Sequence, residues 1–480
     1  MPAPEAIIEY IDANADKFIA RLAAAVAIPS ISGDASNRGD VMKMAAFLKA
    51  ELEAIGVTVR LADLGKHTLD GQELQLPPAI LGSLGNDKHK RTILLYAHYD
   101  VQPALKSDGW DTDPFTLTID KESGRLIGRG SSDDKGPLLG WINNLQAHHE
   151  LGLELPVNIK LCLEDGPGME ESGSEGLDDL IKAEARPGKF FDGVDAICIS
   201  DNYWLNTRTP CLTYGLRGLT YYKIKVSGPA RDLHSGVFGR TVHEPMTDLI
   251  QLMSKLVTPQ GTILIPGVED LVAPLTEKET ARYERLDYGV SDVEHSAGAQ
   301  IAISSDKSTV LMNRMRYPSL SLHGIEGAFS APGAKTVIPA SVAGKFSIRL
   351  VPDQTPDNIN PLVEKYIKAE FAKLGSKNVL ELEPLHGGKP WVADVDHWNY
   401  RAASKATEIV YNKTPDLTRE GGSIPVALTF AEALNVNLLL LPMGRGDDGA
   451  HSTNEKLDRS NYIEGTKLLG TYLYEVATET

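Results

Sequence analysis

Four short, almost wholly apolar runs, at residues 93–97, 157–163, 194–200 and 436–441, limit the possible folds most. Each has the length of a buried strand. Segments of helical period accompany them, at 4–27, 38–55, 136–150, 177–185, 397–412, 425–434 and 460–477, with further strands at 57–62 and 79–84. This alternation predicts an α/β domain on a mostly parallel sheet. Ligands of such sheets gather beyond the carboxyl ends of the strands, and there the chain keeps its acids and imidazoles. His98 ends the first run, and Asp100 follows on the same face of an extended chain. Asp133 lies in the turn SSDDKGP between a strand and a helix. Glu170 and Glu171 follow the run at 157–163, Asp201 follows 194–200, and His451 follows 436–441 after a Gly- and Asp-rich loop.

Two imidazoles and three or four carboxylates exceed the three protein ligands of one catalytic zinc. They suit two divalent ions ~3.5–4 Å apart, sharing one carboxylate and one water or hydroxide. The mixed nitrogen and oxygen donors fit zinc, manganese or cobalt. Asp100 is placed to accept the other ring N–H of His98 and fix its tautomer. Of the pair Glu170–Glu171, one carboxylate is expected to bind metal and the other to move a proton from water to a leaving amine.

Near residue 212 the pattern changes. Residues 219–226 alternate strictly, as a half-exposed strand does. A helix at 242–257, a long variable connection to about 317, strands at 319–323 and 342–351, a helix at 357–374 and a strand at 378–385 follow. The order β-α-β-β-α-β predicts a ferredoxin-like α+β unit. It is expected at 213–387, inserted as a lid and dimerisation domain into a catalytic domain of 1–212 and 388–480. Arg349 alternates with Phe346, Ile348 and Leu350 and so should leave the lid core; a guanidinium can hold a carboxylate in two parallel bonds. Gly421, Gly422 and Ser423 precede a helix, where free N–H groups form either an anion site or an ordinary serine cap.

The net charge of −17 argues against nucleic acid or anionic membrane as a partner. Cys162, Cys198 and Cys211 are odd in number and widely spaced, which fits free thiols in a reducing compartment. The acidic residues 1–18 lack the features of a secretory leader. No apolar run approaches the ~18 residues of a membrane span. A cytoplasmic protein is expected.

The segments LYAHYDVQP, GRGSSDDKGP, MEESGSEGL, ISDNYW, DLHSGVFG and DGAHSTNEK resemble, in order along nearly the whole chain, those of a dinuclear metallopeptidase family. That family includes carnosinase, cytosolic non-specific dipeptidase, glutamyl carboxypeptidases and succinyl-diaminopimelate desuccinylase, and the dipeptidase branch is the most similar. The resemblance implies hydrolysis of dipeptides such as Cys-Gly or carnosine-like ones, with two zinc or manganese ions. It implies that His98 and Asp201 hold one ion, Glu171 and His451 the other, and that Asp133 bridges them with a cis peptide to Asp134. Asp100 would stand behind His98, and Glu170 would be the general base and acid. His234 would reach the oxyanion from the second subunit of a homodimer. Thr336, Arg349, His386 and Ser423 would line the substrate site. The alternatives are an N-acyl amino acid deacylase or carboxypeptidase of the same family and a non-catalytic metal-binding scaffold.

Overall fold

The structure is a computed structural model that describes residues 3–166, 175–422 and 424–479. Its main sheet is mixed. Four strands at its centre, Asn158–Glu164, Thr92–His98, Ala196–Ile199 and Asn437–Leu440, lie side by side and parallel. Ala79–Leu84 and Thr58–Ala62 extend one side antiparallel. Cys211–Leu216 joins the other side antiparallel and itself pairs in parallel with Asp416–Glu420.

The continuous apolar runs are explained by burial of both faces. Ile93, Leu95 and Ala97 point into a cluster with the helices Ala15–Val26, Arg38–Ala54, Lys135–Leu151, Trp398–Tyr411 and Arg459–Thr478. Leu94 and Tyr96 point the other way, against the helices Leu177–Glu184 and Pro425–Leu434. Period-two alternation in the backbone thus needs apolar side chains at every position. The three cysteines are free and buried.

A second sheet has the order Ser319–Glu326, Ser341–Leu350, Gly218–Ser227, Val379–Gly388, all antiparallel. Pro245–Met253 and Pro356–Leu374 cover one face and complete a ferredoxin-like sandwich. Tyr222 and Phe346 stack in its core at 4.8 Å between ring centres. Ile348 and Leu350 are buried there, and Arg349 is turned to the opposite face, as the alternation predicts.

Two expectations of the chain reading need correction. The helix expected at 4–27 is two, Glu5–Ala13 and Ala15–Val26, separated at Asn14, whose side chain donates to the Tyr10 carbonyl at 2.9 Å. The variable connection before residue 317 contains three helices, Glu277–Arg285, Val290–Ala297 and Lys307–Met315. Among the described residues no helix is long and apolar enough to cross a membrane.

Candidate metal centre

The parallel strands bring His98 and Asp201 to one edge, because Thr92–His98 and Ala196–Ile199 are hydrogen-bonded neighbours. The next strand, Asn437–Leu440, leads into the loop that carries His451. Asp133 arrives from the turn before the helix Lys135–Leu151, and its peptide bond to Asp134 is cis. Ligand atoms of His98, Asp133 and Asp201 all lie within 4.8 Å of one another.

Asp133 is the centre of the group. Its Oδ1 accepts from Nε2 of His98 at 3.0 Å, and its Oδ2 accepts from Nε2 of His451 at 2.9 Å. One carboxylate therefore serves two imidazoles, one oxygen each. Burial pushes the Asp133 carboxyl up, but the hydrogen bonds from His451 and His98 outweigh it and hold the group below the usual carboxylate range. Burial lowers His98, yet Asp201, then Asp100 and Asp133, raise it well above the ordinary imidazole value. The bond to Asp133 raises His451. A site that attracts protons to two converging imidazoles, with carboxylates on both sides, has the donor chemistry to hold divalent cations.

Behind the imidazole, Nδ1 of His98 donates to Oδ1 of Asp100 at 2.9 Å. Asp100 is 4% exposed and its other oxygen accepts from the Ser32 hydroxyl. Gly166, at φ +73°, packs against it: a Cβ there would lie 2.0 Å from Asp100 Oδ1. Any side chain at 166 would expel the carboxylate from behind His98. Lys135 is wholly buried, and its ammonium donates to the carbonyls of Ala25 and Ile28 at the end of a helix, at 3.0 and 2.7 Å. Burial pushes it down to about 7.

Arg129 and Glu455 were not singled out by the sequence reading. Both are almost fully buried, and they pair at 2.8 Å. Oε1 of Glu455 accepts from the backbone N–H groups of Ser132 and Asp133 at 3.0 and 3.1 Å. They stand in the segments GRGSSDDKGP and DGAHSTNEK, where the sequence signal was a charge of each sign four residues from an expected ligand.

A cavity of about 530 Å³ opens onto the cluster, lined by His98, Asp133, Asp201 and His451 together with Tyr96, Tyr203, Trp204 and Arg314. His234, Thr336, Arg349 and His386 do not line it in a single copy of the chain. His234 is exposed at the start of a short helix, where its Nδ1 accepts from the Gly236 N–H at 3.0 Å. The Thr336 carbonyl accepts from Ser235 N–H at 3.1 Å. His386 stacks on Tyr221 at 5.1 Å, on the face of the second sheet that also carries Arg349. Glu170, Glu171 and Ser423 lie outside the described residues. A second acidic group, Asp447, Asp448 and Asp458, surrounds the Lys456 ammonium at 2.6–2.7 Å, which already supplies its cation.

This parallel-strand edge, with histidines and carboxylates converging below a cavity, defines a metal-dependent hydrolase. Residues 94–475 match the model of peptidase family M20/M25/M40. The chain belongs to that family and is a metal-dependent peptidase. It is 55% identical over 472 residues to the Cys-Gly metallodipeptidase of Schizosaccharomyces pombe, covering 98% of each chain. It is 44% identical to human Beta-Ala-His dipeptidase, covering 98% of this chain and 92% of that one. The solved structure of the dipeptidase Dug1p from Saccharomyces cerevisiae superposes with a TM-score of 0.88 at 51% identity, over 98% of both chains.

Proposed function

We propose that this chain is a cytoplasmic dipeptidase that uses two divalent ions, zinc or manganese, and acts as a homodimer. The observation that carries this reading is the bridge at Asp133, with one oxygen toward each of two imidazoles at 3.0 and 2.9 Å. Near full-length identity to two dipeptidases supports the size of substrate. His98 and Asp201 hold one ion, Glu171 and His451 the other, and Asp133 is shared. When bound, the ions activate water and polarise the scissile carbonyl. Asp100 accepts the Nδ1 proton of His98 and keeps Nε2 aimed at the site. Glu170 takes the proton of the attacking water and returns it to the leaving amine. His234 of a second copy donates to the developing oxyanion. Arg349, Thr336, His386 and Ser423 grip the free carboxylate end, so that only short peptides fit. Residues 1–212 and 388–480 form the catalytic part, and 213–387 cover it and make the dimer.

The test is turnover of a dipeptide library, including Cys-Gly and β-Ala-His, by protein stripped of metal and reloaded with zinc or manganese. Metal-dependent release of free amino acids from dipeptides is expected. Turnover confined to N-acetyl amino acids would replace this reading by deacylation, and no turnover with two ions bound would leave a scaffold.

A further inference from the structure

His451 poses a problem. It is the most exposed of the clustered residues, with a side chain 65% accessible, and its backbone is left-handed at φ +62°. A non-glycine residue holds such a conformation only where its surroundings over-determine it. Asp133, its partner, comes from a distant turn. Something must set the distance between these two segments.

We propose that Glu455 and Arg129 are positioning residues that clamp the Asp133 turn to the His451 loop and so fix the spacing of the two metal positions. The inference rests on the metal reading given above. Glu455 is fully buried. Its Oε1 receives the N–H groups of Ser132 and Asp133 and, at 3.2 Å, the Ser132 hydroxyl. Its Oε2 receives Nη1 of Arg129 at 2.8 Å. The same guanidinium donates through Nη2 to the His451 carbonyl at 3.4 Å and lies 5.2 Å over the Trp110 ring. Glu455 belongs to the His451 segment, yet it binds the Asp133 backbone. Arg129 belongs to the Asp133 segment, yet it binds the His451 backbone. The Gly128 N–H to Glu455 carbonyl bond, at 2.9 Å, adds a third tie. The contacts are reciprocal, so neither loop can shift without breaking both. A planar fork is needed to reach a carboxylate, a carbonyl and an aromatic face together, and lysine lacks one.

Zinc binding by the folded, metal-stripped full chain tests this, with Zn²⁺ alone as the probe and a competing chelator in the calorimeter. Partners behind metal ligands change affinity by 10–100-fold when removed. Glu455→Gln and Arg129→Lys are each expected to weaken Zn²⁺ binding by about that factor, with two ions still bound at saturation. The double variant is expected to match either single one, because both cut the same clamp. A merely structural role would lower the thermal midpoint of metal-free protein and leave the affinity of the folded fraction unchanged. Should Glu455→Gln fail to fold, Arg129→Lys, which keeps the buried charge, carries the test. Folded variants that bind Zn²⁺ within twofold of the wild type overturn the clamp alone. A wild-type chain that binds neither Zn²⁺ nor Mn²⁺ overturns the metal reading and the clamp with it.

Discussion

Asp133 divides its two oxygens between His98 and His451, and the protons on those two nitrogens stand where cations would bind. Carboxylates raise both imidazoles, so the metal-free site carries protons that an ion must displace. As pH falls, more protons compete and metal affinity falls, whereas raising pH strengthens binding. Proton release on zinc addition at pH 7, read by calorimetry in buffers of different ionisation enthalpy, is expected, and binding without it would contradict the assignment. Asp100 acts one bond further back. Asp100→Asn keeps the shape but is expected to cost 10–100-fold in metal affinity or in kcat/KM, since an amide cannot hold the His98 tautomer as a carboxylate does. These residues were legible because His98 ends an apolar run and the others stand in polar turns or loops that follow a strand. Glu455 and Gly166 were not, because their roles are buried contacts between distant segments, which spacing does not reveal.

At the scale of elements, the site depends on a strand that is packed from both sides. Leu95 is fully buried between the parallel neighbours of the central sheet and the helices behind them. Leu95→Ala is expected to destabilise the fold by ~2–5 kcal/mol, the cost of a core cavity, measured by urea unfolding. This double burial is also why the central strands were readable: apolar residues dominate them, and residues 93–97 carry no charge. The segment before residue 317 was unreadable for the opposite reason. Its helix Val290–Ala297 buries no residue, Glu277–Arg285 only Tyr283, and Lys307–Met315 only Leu311 and Met315, so the apolar period is faint. The early helix pair was merged because apolar positions continue in phase across Asn14.

At the scale of the whole molecule, the chain separates two groups of residues. The ligand cluster lies at the main sheet edge, while Arg349 and His386 lie on the second sheet, His234 lies in and Thr336 beside the two-stranded pair Leu233–His234 and Val337–Ile338, and none of the four lines the cavity. In the proposed homodimer His234 of a second copy would complete the site. His234→Ala is then expected to lose about 10²–10³-fold in kcat, the value of one oxyanion donor, with its metals retained. Mixing His234→Ala with Asp133→Ala chains is expected to restore activity, because each mixed dimer holds one intact site. Absence of any recovery after subunit exchange would show that His234 serves its own chain or none.

The positions of the ions themselves decide whether this edge of the sheet is a dinuclear centre. Anomalous diffraction at the zinc edge, from crystals of zinc-loaded protein, is expected to show two peaks ~3.5–4 Å apart, flanking Asp133 between His98 with Asp201 and His451. A single peak, or peaks remote from this edge of the sheet, would contradict it.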